Sequence, residues 1–334
     1  MSRILNLGQA INEAIQIAME TDPDVILLGE DVAGGGHREG DEIDEMGGVL
    51  GTTRGLVKAF PDRVLDTPIS EMGIIGTAVG AAATGLRPIA ELMFMDFLGT
   101  CLDPLLNQAA KLRYMFGGKV RIPLTVRTVS GAGMQAAAQH SQSLYWMTAG
   151  IPGLKTVIPS NPADAKGLLL SAIRDDNPVV FCEAKLVLGA KGEVPEGDYE
   201  VPIGKANLVR EGGDVSLIGF GGTLPICVTA AKQLAEEGIQ ADVLDLRSLQ
   251  PLDEEAILET LAKTGRVVIV DESTPRSSVA SDVAALCVDQ GFDSLQTPVK
   301  RVTAPHCPVP FSRPLEQAYL PSPAKVLEAV RAQG

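Results

Sequence analysis

The chain has 334 residues, 45% hydrophobic and 21% charged, which is ordinary globular composition and long for one core, so two domains are expected. Its formal net charge of −14 argues against nucleic acid or an anionic membrane as the main partner. Five cysteines without C-x-x-C spacing argue against a disulfide framework or a zinc site and fit a reducing compartment.

No apolar stretch approaches the roughly 20 residues of a membrane span. The first twenty residues read as an amphipathic helix, with Ala10, Ile11, Ala14, Ile15, Ala18 and Met19 at helical spacing and no targeting pattern. A cytoplasmic location is the expectation.

Val25–Leu28 reads as a buried strand, and residues 33–48 as a loop rich in glycine and acid. A short strand at Val64–Leu65 leads to Glu71, the single acid at the mouth of a helix rich in small residues. Its glycines include Gly73, Gly76 and Gly80. Each weakens a helix by about 1 kcal/mol. Such a helix is useful where another backbone must come close, and Gly76-x-x-x-Gly80 is the spacing for that. Glu71 is thus either a proton-handling group or a first-turn acid favoured by the helix dipole.

Pro88–Phe94 is a strand, residues 102–115 a helix, and Pro123–Arg127 the next strand. The Gly-rich Ser130–Gly133 leads to His140, one of three histidines. An imidazole exposed by such a loop suits proton transfer or binding of a polar substrate group; the other reading is a polar loop histidine. His37 is expected to be exposed and His306, among prolines, structural. Strands at Thr156–Ile158 and Pro178–Cys182 flank a helix over Pro162–Arg174. Repeated strand–helix units imply a mostly parallel sheet with helices on both faces.

Glycines and prolines crowd 183–205, read as the interdomain crossing, so the domains are 1–182 and 206–334. The second series places strands at Val215–Ile218, Ala241–Asp245 and Arg266–Val270. Its helices are Leu224–Glu237, closed by Gly238; Glu254–Lys263, between Asp253 and Gly265; Ser277–Gln290; and Pro323–Ala332. The turn at Val215–Gly222, with Asp242 and Asp245 beyond, resembles a dinucleotide site, but Leu224 breaks the G-x-G-x-x-G pattern.

Several motifs in order carry a further reading. They are Gly48-Val-Leu-Gly-Thr-Thr-Arg-Gly55, Asp66-Thr-Pro-Ile-Ser-Glu71-Met-Gly, Arg87–Phe97, Lys111–Gly118, Ala138-Gln-His-Ser-Gln142, Ala172–Pro178 and Asp245–Leu252. The chain resembles the beta subunits of thiamin-diphosphate-dependent 2-oxo acid dehydrogenases over nearly its whole length. Met93–Gly99, Tyr114–Lys119 and Gly131–Gln142 look most like the acetoin dehydrogenase branch.

The resemblance implies two parallel-sheet α/β domains, a transketolase-type pyrimidine-binding domain and a transketolase-type C-terminal domain. It implies an α2β2 enzyme that cleaves acetoin to acetaldehyde and passes a two-carbon unit to the lipoyl-bearing acyltransferase component. A pyruvate or branched-chain 2-oxo acid dehydrogenase subunit and a non-catalytic assembly subunit are the alternatives. Glu71 would hydrogen-bond the cofactor's aminopyrimidine and drive its activating tautomer, sheltered by Met72, Ile74 and Ile75, with a raised pKa. Met93 and Phe97 match positions that pack on the pyrimidine, and His140 the substrate end. Leu124, Ala172, Ile173, Asp175 and Asn177 match a potassium-binding stretch, or form an ordinary polar turn. The G-D-G motif and paired Asn that hold magnesium and the diphosphate have no counterpart; Gly212-Gly-Asp214 precedes a strand and no Asn pair follows. The resemblance therefore assigns thiamin diphosphate to a site shared with an alpha subunit that holds the magnesium.

Overall fold

A computed structural model describes residues 2–35 and 47–334. The strands are β1 (Ser2–Asn6), β2 (Val25–Gly29), β3 (Val64–Asp66), β4 (Arg87–Phe94), β5 (Thr125–Ser130), β6 (Lys155–Val157) and β7 (Val179–Ala184). They continue as β8 (Lys191–Pro195), β9 (Asn207–Arg210), β10 (Val215–Gly219), β11 (Ala241–Asp245), β12 (Ser248–Gln250), β13 (Val267–Asp271) and β14 (Lys300–Thr303). The first sheet runs β12-β6-β7-β5-β4-β2-β3, parallel throughout except for β12. The second runs β14-β13-β10-β11-β9, parallel except for β9. In a parallel sheet every strand ends on the same edge, and the loops there converge.

Helices form where the periodicity predicts. Helix Leu7–Thr21 begins in a capping box, Asn6 accepting from the Gln9 amide while Gln9 accepts from Asn6. It buries the expected stripe from Leu7 to Met19 and packs on helix Pro162–Arg174. Fully burying a large apolar side chain there stabilises the fold by about 1.5–3 kcal/mol. Lys166, fully buried, bonds Glu13 at 2.8 Å and the Pro195 carbonyl at 3.0 Å, tying both helices to β8. Helix Glu254–Thr264 starts at Asp253, which accepts from the Ala256 amide, and stops at left-handed Gly265.

Three departures stand out. Residues 102–115 are no single α-helix: π-type turns over Pro104–Ala109 precede an α-helix at Ala110–Met115. The segment 183–205 completes β7 and then forms β8, which pairs antiparallel with β1. Strand β12 leaves the second series to pair with β6. One apolar core consequently runs from Leu7 of the first series to Cys287 of the second. A separate core lies under helix Leu224–Glu236. No helix among the described residues is long and apolar enough to cross a membrane. His37 and Asp41–Glu45 lie outside the described residues, as does most of the 33–48 loop.

Candidate active site

The carboxyl edge of the first sheet gathers the candidate residues. Strand β3 leads to Glu71, β4 to Phe97, and β5 to the loop carrying His140. Glu71 opens helix Glu71–Ala83 and is half-buried. Its Oε2 accepts from the Thr100 hydroxyl at 3.2 Å. That hydroxyl also donates to the Phe97 carbonyl at 2.8 Å. The Phe97 ring meets the His140 imidazole edge-on, with centroids 5.4 Å apart, and Phe94 meets it at 5.2 Å. Glu71, Phe97 and His140 therefore form one continuous line. Met93 sits just before Phe94, 7% exposed, over a small cavity shared with Thr52, Glu91 and Arg127.

The shelter expected around Glu71 is only half present in this chain. Ile74 and Ile75 are buried beneath the helix, but Met72 is 50% exposed and Ile69 is 72% exposed. Their apolar surface stands beside the carboxylate and faces outward. The helix shows the same pattern: a Cβ added at Gly76 or Gly80 would meet nothing within 4 Å.

Residues given no role from the sequence complete the edge. Glu30 follows β2, and its carboxyl is raised first by burial, then by Asp31, Glu71 and Glu91. Asp66 ends β3 and accepts the Ala33 and Gly35 amides at 2.6 and 3.0 Å. Asp96 accepts the Ser141 and Gln142 amides at 3.1 and 3.0 Å, fixing the backbone after His140. Lys185 donates to the His140 carbonyl and lies 4.6 Å from the Phe94 centroid. Burial pulls Lys185 below the ordinary lysine range, opposed by Asp96, Glu272 and Glu316. The position of Glu30 at a strand's carboxyl end was its one sequence signal; the others are brought in by folding.

Below the edge, Arg127 lies buried between Glu91 and Glu183, at 2.9 and 2.8 Å, and donates to the Thr52 hydroxyl at 3.1 Å. Burial raises both carboxyls while the guanidinium pulls them back. This triad ties β4, β5 and β7 to the turn at Thr52.

The proposed potassium stretch lies on the opposite edge, before β5 and β7. The Leu124 carbonyl accepts from the Val179 amide, and that of Ala172 from the Asp175 amide. Arg87 donates to the Ile173 and Asp175 carbonyls, both at 3.3 Å. Lys155 pairs with the Asp175 carboxylate, and Arg113 donates to Asn177 Oδ1 at 2.7 Å. The chain's own cations already serve the oxygens of Ile173, Asp175 and Asn177, and backbone amides those of Leu124 and Ala172, which is a poor fit to an added ion.

The dinucleotide-like turn is packed shut. A Cβ at Gly221 would lie 2.7 Å from the Ile158 side chain, and one at Gly222 2.9 Å from Leu186 Cβ. Asp242 is held by Thr260 and Lys263, and Asp245 by Ser160. Those glycines admit the first domain.

Residues 4–190 match the family model "Transketolase, pyrimidine binding domain" and 204–326 match "Transketolase, C-terminal domain", which defines a chain of the transketolase type. A split-gene transketolase solved as an inactive beta4 tetramer superposes with a TM-score of 0.77 at 23% identity, covering 97% of this chain and 96% of that one. The transketolase of Campylobacter jejuni superposes at 0.68 with 14% identity, covering 99% of this chain and 47% of that one. Both show the fold. The beta subunit of acetoin:2,6-dichlorophenolindophenol oxidoreductase from Bacillus subtilis is 59% identical, over 98% of this chain and 96% of its own. That of Cupriavidus necator is 53% identical, over 99% and 98%. The 2-oxoisovalerate dehydrogenase beta subunit of Bacillus subtilis is 42% identical, over 98% of each chain. The chain belongs to the beta-subunit family of thiamin-dependent acetoin and 2-oxo acid dehydrogenases.

Proposed function

We propose that the chain is the beta subunit of an α2β2 acetoin dehydrogenase. The observation that carries this is the line Glu71–Thr100–Phe97–His140 on the carboxyl edge of the first sheet. A carboxylate with a single hydroxyl partner among the described residues has an oxygen left for a cofactor's ring nitrogen. Phe97 would give the flat apolar neighbour that a pyrimidine needs, and Met93 an adaptable apolar one. Glu71, Phe97 and Met93 would hold the pyrimidine of thiamin diphosphate, which when bound would supply nucleophilic carbon chemistry toward a carbonyl substrate. Glu71 holds a proton at the pyrimidine. His140 takes the proton of the acetoin hydroxyl, or hydrogen-bonds the departing oxygen, as the central carbon–carbon bond breaks. Acetaldehyde leaves, and the other two-carbon unit passes to the lipoyl disulfide of an acyltransferase, which opens to a thioester and a thiol.

The missing half of the site belongs, on this reading, to an alpha subunit that holds magnesium and the diphosphate. The bare glycines and the exposed Ile69 and Met72 support a partner seated against Glu71. Higher identity to the acetoin oxidoreductase subunits than to the 2-oxoisovalerate one supports acetoin over 2-oxo acids. The domains divide at 183–205, and the enzyme works in the cytoplasm. A potassium ion at Leu124, Ala172, Ile173, Asp175 and Asn177 would compete with Arg87; melts in potassium against sodium chloride test it. Reconstitution with the alpha subunit, followed by acetoin, pyruvate and branched-chain 2-oxo acids as substrates, tests the function. Preference for pyruvate or a branched-chain acid overturns acetoin. No turnover of any by an assembled complex favours the non-catalytic reading.

A further inference from the structure

The loop that presents His140 is bent into conformations that its residues do not choose alone. Gln135 and Ala137 have φ of +54° and +60°, a region that L-residues rarely adopt, and Gly131 and Gly133 are left-handed too. Such a backbone persists only when its surroundings fix it. The second domain does part of that fixing. Glu316, on helix Arg313–Tyr319, accepts the Gly133 amide at 2.9 Å and the Gln135 amide at 3.1 Å through one oxygen. Glu272, just after β13, accepts the Ala132 amide at 2.5 Å. Both carboxylates are buried, 3% and 5% exposed. The fit is close: a Cβ at Gly131 would lie 2.5 Å from Glu272 Oε1.

We propose that Glu272 and Glu316 are positioning residues for His140, so that docking of the second domain sets where the imidazole stands. The far end of the loop is held by Asp96 of the first domain and by Lys185 just after β7. At the near end the Gly131 amide donates to the Gln142 carbonyl at 3.1 Å, and the amides of Ala132, Gly133 and Gln135 have the second domain as their anchor. A shift between the domains would therefore move the histidine relative to Phe97 and Glu71. Substrate-side chemistry and domain docking become one event. This rests on the reading of His140 as the substrate-side histidine.

The test uses the full chain, alone and in the assembled complex, with ¹³C-labelled histidine. Hydrogen bonds to a charged acceptor are strong enough that losing them should speed amide exchange at Ala132–Gln135 about tenfold or more in Glu316→Ala. The His140 ring signals should shift, and kcat should fall while thiamin diphosphate affinity stays. Glu316→Gln retains one acceptor oxygen and should fall between wild type and alanine. Glu237→Ala, at an exposed ion pair of the same domain, should change none of these. Folded Glu316→Ala and Glu272→Ala chains with wild-type loop exchange and His140 signals would overturn the proposal. If the alanine variants do not fold, Glu316→Gln decides alone: a partial change supports it, none overturns it. The spectra are read without substrate, so a complex inactive on every substrate fails the functional reading and leaves this one to the spectra.

Discussion

Thr100 gives Glu71 its neutral partner. A hydroxyl can donate to a carboxylate without compensating its charge, so the acid keeps an oxygen for a ligand. Glu71→Gln preserves shape but cannot share a proton. Turnover of the assembled enzyme should fall at least about 10²-fold while assembly survives, checked by steady-state rates and sedimentation. Near-normal turnover would return Glu71 to the role of a helix-terminus acid. His140→Ala should slow carbon–carbon cleavage or transfer to lipoate by about 10²–10⁴-fold, with cofactor binding little changed. Partial rescue by Asn or Gln would mean hydrogen bonding; no rescue would mean proton transfer. Coupled loss of stability and cofactor affinity would mean a structural histidine. Glu71 and His140 could be singled out as candidates because each stands in a dense local motif. Asp96, Lys185, Glu272 and Glu316 could not, because each reaches the loop of His140 from a distant part of the chain, as Thr100 reaches Glu71.

The glycine-rich helix has two faces with different purposes. Ile74, Ile75, Ala78, Val79 and Ala82 enter the core. Gly76 and Gly80 face open space in this chain. That separates two effects that usually oppose each other invisibly. Gly76→Ala should stabilise the isolated chain by up to about 1 kcal/mol, since alanine is the better helix former and meets no clash. Gly76→Leu should leave the isolated chain folded and weaken assembly with the alpha subunit. Thermal melts of the chain and sedimentation of the mixture check both. Unchanged assembly with Gly76→Leu would move the partner off this face. Helices were read well from periodicity and caps, as the Asp253 cap and Gly265 stop of helix Glu254–Thr264 illustrate. Strands β1, β8 and β12 were missed because they are short edge strands whose partners are distant: β1 meets β8, and β12 meets β6. The tract at 183–205 has the composition of a linker, yet part of it is an edge ribbon.

At the scale of the whole molecule, the two sheets share one core, and Asp245 is buried at their junction. It accepts from Ser160 of the first domain at 3.0 Å and from the Arg247 amide at 3.2 Å. Burial, with Asp164 adding, pushes its carboxyl from the ordinary 3.8 up to about 8, against Ser160 and Arg247. The folded chain thus keeps a proton that the unfolded chain has released. The resulting stability is full below 3.8 and is lost as pH rises toward about 8. Asp245→Asn should flatten the pH dependence over that window, read from denaturant melts; an unaltered slope would place the titration elsewhere. The two-domain α/β plan was visible in the order of strands and helices, whereas the continuity of the core was not, since β12 gives no sign of changing sheets. Calorimetry decides whether this chain carries half of a thiamin site. Thiamin diphosphate with magnesium is titrated into the chain alone, then into its mixture with the alpha subunit. Binding to the chain alone should be weak and binding to the mixture tight and magnesium-dependent; tight magnesium-dependent binding to the chain alone would rule a shared site out.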